Sequence, residues 1–108
     1  NGNMAWIELL IASFFEVLWA TSLKYSANFT KLIPSAITVI GLIASFLFLE
    51  MATRELPIGT AYAVWTGIGA VGTVVLGIIL FHEPAGIWRM LFLSMVIVGI
   101  MGLKATAS

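Results

Sequence analysis

The chain alternates between long apolar stretches and short polar links, and this pattern predicts four helices. The apolar stretches run over residues 5–22, 34–52, 56–81 and 87–103. An α-helix needs about 20 mainly apolar residues to cross the hydrocarbon core of a bilayer, and each stretch has about that length. The third is the clearest, because no formally charged side chain occurs between Leu56 and Phe81. The pattern therefore predicts an all-α protein with four transmembrane helices.

Three polar links separate the predicted helices: KYSANFTKLI at 24–33, MATRELP at 51–57 and FHEPAG at 81–86. Because these links are short, consecutive helices are expected to be antiparallel neighbours. Pro34 suits the start of the second helix, where its missing N–H costs nothing. Residues 1–3, which precede Met4, are expected to be a short tail or a cloning remnant. Residues 1–108 are therefore expected to form a single four-helix transmembrane domain.

The composition supports a membrane protein and excludes several other classes. Hydrophobic residues make up 61% of the chain and charged residues only 9%, whereas about 25% of the residues of a soluble domain are charged. The formal net charge of +0 argues against a nucleic-acid-binding protein. The sequence contains neither cysteine nor aspartate, so no thiol nucleophile and no Ser-His-Asp set can form. We therefore expect a protein that is not an enzyme and that uses no metal or cofactor.

The lysines and arginines of the links are almost evenly divided between the two sides of the predicted bundle. One side carries Lys24, Lys31 and Arg89, and the other carries Arg54 and Lys104. Cytoplasmic loops normally hold an excess of these residues, so three against two is a weak bias. Such a chain could insert in both orientations, which would permit an antiparallel dimer. The alternative is a single orientation set by Lys24 and Lys31.

Glu16 is the strongest candidate for a functional residue, because it lies near the middle of the first predicted span. An ionisable group at that depth costs at least about 2.5–3.5 kcal/mol on insertion scales and is functional by default. Ala12, Ser13 and Ala20 share roughly its helix face and leave room for water or a small ligand. Glu16 is therefore expected to bind protons or a small cation. The alternative is a permanently protonated carboxyl group that hydrogen-bonds a neighbouring helix.

Four polar or aromatic residues are expected to surround this carboxylate. Trp19 lies one helical turn from Glu16 and offers a single N–H donor. Tyr62 and Trp65 have i, i+3 spacing on the third helix and could form a pocket wall whose aromatic faces attract cations. Ser45 lies at mid-depth in the second helix, but by itself it is a weak signal, because membrane serines commonly bond their own i−4 carbonyl. Each tryptophan could instead serve only in packing.

A protomer of four short helices has little interior, so these residues would face lipid in a monomer. A dimer would bury them and bring two glutamates to one site. Two carboxylates in a dry aromatic cavity suit protons and a small cation that compete for the same negative charge. That competition would itself couple the movement of protons to the movement of the cation.

The motifs along the chain resemble those of the small multidrug resistance family. They are E-V-L-W at 16–19, L-K-Y-S at 23–26, F-T-K-L-I-P-S at 29–35 and P-I-G-T-A-Y-A-V-W-T-G-I-G at 57–69. The resemblance covers essentially all of residues 4–108. Within the family the chain is similar to the guanidinium-exporter branch, whose mark is a tryptophan three residues after the membrane glutamate. The branch for polyaromatic cations has glycine there.

The resemblance implies an antiparallel, dual-topology homodimer in the bacterial inner membrane that exchanges protons for guanidinium by alternating access. It implies that Glu16 is the shared proton and substrate site, oriented by hydrogen bonds from Trp19 and Ser45. Tyr62 would act between the two glutamates and Trp65 would line the cavity. Four glycines would serve helix packing or dimer contact: Gly67, Gly69, Gly99 and Gly102. Glu8 and Glu50 depart from the family pattern, and Glu8 could touch the access path.

Three functions remain open on the sequence. The first is a proton-coupled exporter of guanidinium and small substituted guanidinium cations, whose forked N–H donors match a carboxylate. The second is a broad exporter of quaternary ammonium compounds that relies on cation–π contact. The third is a non-transporting subunit of a membrane assembly whose carboxylate pairs with another chain.

Overall fold

The computed structural model describes residues 2–107 and confirms the four predicted helices. These are α1 (Gly2–Tyr25), α2 (Leu32–Thr53), α3 (Ile58–Phe81) and α4 (Ile87–Thr106). Each is long and apolar enough to cross a membrane. Gly2 and Asn3 lie in the first turn of α1, whereas Asn1 lies outside the described residues. Helix α2 begins two residues before Pro34, which still occupies the first turn, where its missing N–H is tolerated.

Helix α1 is the central element of the protomer. It packs along most of α2 and also against α3, and α3 in turn carries α4. The expected contact between consecutive helices is extensive only for α1 with α2; it is smaller for α3 with α4, and α2 and α3 meet only over a short stretch. The protomer measures 43 × 34 × 16 Å. Since one helix with its side chains is about 10–12 Å across, the bundle is less than two full helices thick.

The apolar core lies where α1, α2 and α3 meet. Its members are mostly small or aliphatic, which lets the helix backbones approach closely: Leu9, Ala12, Leu49, Ala52, Ala61, Val64 and Trp65. Helix α4 contributes no buried residue among those described. Its large apolar side chains, such as Trp88, Phe92 and Met95, are exposed in the protomer. They are therefore left for lipid or for another chain.

The two links at one end of the bundle use left-handed backbone conformations to reverse the chain. Ala27, Asn28 and Phe29 have φ values of 49°, 62° and 65°. The buried Ser26 stabilises this turn, because its hydroxyl donates to the Leu23 carbonyl at 2.7 Å and accepts the Phe29 N–H at 3.3 Å. At the end of α3, His82 adopts φ 56°, and the next N–H, that of Glu83, returns to the Gly77 carbonyl at 3.2 Å.

The alternating helix directions give the bundle two distinct ends. The first end holds the start of α1, the α2–α3 link and the end of α4; there the Lys104 ammonium lies 5.1 Å from the centre of the Trp6 ring. The second end holds the α1–α2 and α3–α4 links; there the rings of Tyr25 and Phe81 lie 5.1 Å apart. The predicted cation site lies between these two ends and comprises Glu16, Trp19, Ser45, Tyr62 and Trp65.

Candidate functional site

Glu16 projects from α1 toward α3, where its carboxylate lies directly against Gly69. A Cβ atom at Gly69 would overlap the carboxylate, so only glycine leaves room for Glu16 in this position. Glu16 is half-buried, and its Oε1 atom is buried without a hydrogen-bond partner among the described residues. Buried polar atoms are normally hydrogen-bonded, and an unsatisfied one demands an explanation.

Ser45 joins three helices close to Glu16. Its hydroxyl donates a 2.7 Å hydrogen bond to the Ala12 carbonyl of α1 and accepts a 2.9 Å hydrogen bond from Trp65 Nε1 of α3. Ala12 lies one helical turn before Glu16. Ser45 is fully buried and Trp65 nearly so, which makes these bonds strong determinants of local geometry. The common alternative, a bond from Ser45 to its own i−4 carbonyl, is not formed.

The Trp65 ring anchors a small aromatic wall. Its centre lies 5.5 Å from that of Tyr62 and 5.4 Å from that of Phe46, in tilted geometries. Tyr62 is 54% exposed in the protomer, so its hydroxyl is accessible from outside the three-helix core. The position of Phe46 in this wall is not predicted from the sequence. No polar signal marks it, and its position next to the buried Ser45 predicts only a side chain that faces lipid.

Trp19 packs against Gly41 of α2, where an added Cβ would lie 3.0 Å from Trp19 Cβ. Its Nε1 atom is buried and has no hydrogen-bond partner in the described chain. The hydrogen bonds that the sequence analysis expected from Trp19 and Ser45 to Glu16 are therefore not present within this protomer. The physical reason for Ser45 is plain, because its one proton goes to Ala12. The indole N–H of Trp19 is a donor without a partner among the described residues, and it lies one helical turn from Glu16, whose Oε1 is an acceptor without one.

The predicted packing glycines differ in what surrounds them. Gly67 lies at the contact between α3 and α4, where a Cβ would be 2.9 Å from Ile100 Cδ1. Gly69 accommodates Glu16. Gly99 and Gly102 lie on α4, where an added Cβ would meet nothing within 4 Å. The last two therefore have no packing function within the described protomer.

Glu8 lies about 12 Å along α1 from Glu16, since eight residues separate them, and does not contribute to the site. It lines a cleft at the first end with Met4, Met51, Arg54 and Glu55. Hydrogen bonds to Glu50, and also the nearby charge of Glu8, raise the pKa of the Arg54 guanidinium. The resemblance implied that Glu8 could touch the access path; the structure leaves its side chain half-buried at this cleft.

The pair of Arg54 and Glu50 shows the geometry in which a guanidinium binds a carboxylate. Arg54 Nε donates to Glu50 Oε2 at 3.0 Å and Nη2 donates to Oε1 at 2.8 Å. Two parallel N–H donors thus satisfy both oxygens at once. The Glu16 carboxylate, whose buried oxygen has no donor among the described residues, could accept an external cation of the same shape.

These residues lie within a sequence that matches known proteins over nearly its full length. The model of the family described as Small Multidrug Resistance protein matches residues 4–96. The chain belongs to the small multidrug resistance family. Among its relatives in that family are proteins named "Guanidinium exporter" from Proteus vulgaris, 54% identical over 101 residues, and from Yersinia pestis, 55% identical over the same length. Each alignment covers 94% of this chain and 97% of the relative.

A third relative, from Salmonella typhimurium, has the same name and is 54% identical over 94% of this chain and 96% of its own length. The family membership and the four apolar spans identify a multi-pass protein of the bacterial inner membrane. These small multidrug resistance relatives are transporters by name.

Proposed function

We propose that the protein is a proton-coupled antiporter that exports guanidinium and small substituted guanidinium cations. The observation that carries this proposal is the Glu16 carboxylate, which lies at mid-span against Gly69 with a buried oxygen that no described donor satisfies. A buried carboxylate of this kind is stabilised either by a proton or by a cation. The names of the three relatives support guanidinium as that cation.

The proposed binding step uses the fork geometry of a planar cation. Guanidinium would donate two N–H groups to the two oxygens of Glu16, as Arg54 does to Glu50. The rings of Tyr62 and Trp65 would offer their faces to the delocalised charge. Ser45 would hold Trp65 in place through its hydrogen bond, and Trp19 would donate its free N–H to the carboxylate or to a bound water molecule.

The proposed unit of transport is an antiparallel homodimer of two chains with opposite orientations. The thin protomer supports it, because Tyr62 and the whole outer face of α4 are exposed. The near balance of lysine and arginine between the two ends supports both orientations. In that dimer Gly99 and Gly102 would allow two α4 helices to approach closely, and the two Glu16 carboxylates would share one cavity.

The proposed coupling follows from the competition for one negative site. A proton and a guanidinium cation each neutralise Glu16, and occupation by one weakens the binding of the other. If the site is open to one side of the membrane at a time, proton entry from outside displaces guanidinium that entered from the cytoplasm. The same carboxylate thus serves both directions of the exchange.

Reconstituted protein in liposomes with a pH gradient tests the proposal. Guanidinium is expected to drive proton flux in the wild type, and Glu16→Gln is expected to abolish it, because an amide keeps the shape but cannot bind and release a proton. Glu50→Gln is the matched control, since it removes an exposed glutamate that pairs with Arg54, and it should retain flux.

The possible outcomes of that experiment distinguish the proposed exporter from the two alternative functions and test its mechanism. Flux with a tetra-alkylammonium ion but none with guanidinium would favour a broad exporter of quaternary ammonium compounds. No flux with either cation, in a preparation that is folded, would favour a non-transporting subunit. Wild-type flux in Glu16→Gln would overturn the mechanism even if guanidinium is the substrate.

A further inference from the structure

The two ends of the described protomer carry opposite excess charge. The first end holds three acidic residues and two basic ones: Glu8, Glu50, Glu55, Arg54 and Lys104. The second end holds three basic residues and one acidic one: Lys24, Lys31, Arg89 and Glu83. Counting lysine and arginine alone hides this asymmetry, because it leaves out the carboxylates. Two chains side by side in the same orientation would place like charge against like charge, whereas opposite orientations would place the acidic end beside the basic end.

One acidic side chain at the first end, that of Glu8, interacts with Arg54 only through its nearby charge. Glu8 forms no ion pair or hydrogen bond with the described residues, although it lies beside Arg54. The Arg54 guanidinium is already engaged by Glu50, with N–O distances of 2.8 and 3.0 Å. Glu8 instead lines an open cleft of about 200 Å³, whose apolar walls are Met4 and Met51. The cleft has the chemistry to receive a long side chain with a positive tip.

Lys31 is the corresponding basic side chain at the second end. Lys31 closes the α1–α2 link, is exposed, and its ammonium has no acidic partner among the described residues. The other two cations at that end are held within the protomer. Lys24 lies 4.0 Å from Glu83 and 4.5 Å from the centre of the Phe81 ring, and Arg89 lies 3.3 Å from Glu83.

Glu8 and Lys31 cannot meet within one chain. Glu8 lies in the second turn of α1, whereas Lys31 follows the other end of that helix, which ends at Tyr25, about 26 Å along the axis from Glu8. In an antiparallel pair, however, the first end of one protomer and the second end of the other lie at the same membrane face. Each face then holds one Glu8 cleft and one Lys31.

We propose that the cleft at Glu8 receives Lys31 of the partner subunit, once at each face of the dimer. This inference rests on the antiparallel dimer of the proposed function and adds the contact that favours it over a parallel one. The lysine stem packs on the methionine side chains while its ammonium reaches the Glu8 carboxylate, as long cationic side chains do at apolar surfaces. The partner is a second copy of this chain, and the pair is identified by two opposite charges that form no ion pair among the described residues of one protomer.

Cross-linking tests the pairing directly, because the chain has no native cysteine. The variant Glu8→Cys with Lys31→Cys is treated with a short bis-maleimide in membranes and run on a denaturing gel. The matched control is Glu8→Cys with Lys24→Cys, which removes the same charges and the same number of lysines. The first variant should yield covalent dimer about tenfold faster than the control, because paired side chains have a high effective concentration.

A double-mutant cycle tests the charge itself. Glu8→Gln and Lys31→Gln should each raise dimer dissociation in detergent, by up to about fivefold for each of the two exposed ion pairs that the substitution breaks. The double variant should be no weaker than either single variant, and high salt should remove the difference. Additive effects of the two substitutions would overturn the pairing.

The outcomes distinguish this inference from the function on which it rests. If the wild-type protein exchanges guanidinium for protons, but neither cysteine pair cross-links or the Lys24 control reacts as fast, only the pairing is wrong. If Glu8→Cys alone cross-links to itself, the dimer is parallel, and both the pairing and the proposed architecture are wrong.

Discussion

The carboxylate of Glu16 lies so closely against the backbone of Gly69 that an added Cβ at this point of α3 would force the carboxylate to shift. This contact, more than the acid alone, defines the position of the candidate site. It places the charge between helices α1 and α3, one turn from the Ser45 hydrogen bonds that join α1, α2 and α3.

Gly69→Ala is therefore expected to displace the Glu16 carboxylate and to lower guanidinium transport roughly tenfold or more, since small misplacements of a reacting group have large effects. Gly59→Ala is the matched control on the same helix, because an added Cβ there meets nothing within 4 Å. Transport by the two variants is compared in liposomes at equal protein density. Equal rates would show that Glu16 works in a different position from the one described.

The Ser45 network predicts a defect of stability as well as of transport. Ser45→Ala leaves the buried Trp65 N–H without an acceptor, which costs about 1–3 kcal/mol. Ser94→Ala is the control, since its hydroxyl only returns to the Met90 carbonyl on exposed α4. Unfolding in detergent should separate the two variants. Adding Trp65→Phe to Ser45→Ala should recover part of the loss, because it removes the orphaned donor; a further loss instead would contradict the network.

Topology is the third prediction. Because lysine and arginine are divided three to two, Ala107→Cys should react with an impermeant maleimide from both sides of the membrane. Lys104→Gln makes the division three to one and should shift the labelling toward one side. Labelling of Ala107→Cys from one side alone would contradict dual topology.

Much of the fold could be predicted, because four apolar stretches of membrane length leave the chain few alternatives. Glu16 could also be predicted, since an acid at mid-span has a high cost and stands out against its neighbours. The arrangement around it could not. Nothing in the sequence indicates that the single Ser45 proton goes to the Ala12 carbonyl rather than to Glu16, or that Phe46 lies against Trp65. Such contacts depend on how each helix is rotated about its axis and shifted along it, and the hydrophobic periodicity of the sequence does not determine either.

Trp19 and Glu8 give the last prediction, because they lie on the same flank of α1 but in different surroundings. Trp19→Gly is expected to weaken guanidinium transport more than Glu8→Gln does and to admit bulkier cations, since it removes a buried donor and opens volume beside Glu16. Trp19→Phe keeps most of the volume and loses only the N–H, so it should weaken guanidinium transport without admitting larger cations. A hydrogen bond to a charged group contributes roughly 1.5–3 kcal/mol, which predicts about a tenfold or greater loss of affinity.

The measurement is uptake of guanidinium and of one tetra-alkylammonium ion by each variant, reconstituted at equal density. Glu8 lies about 12 Å from Glu16 along the helix and beside Arg54, so its loss should leave the affinity for guanidinium within a factor of about two. If Glu8→Gln is the more damaging change at a protein density where the dimer is intact, the cleft at the first end belongs to the path of the cation. Its role would then extend beyond contact between protomers, and Trp19 would be a packing residue whose free N–H has no part in binding.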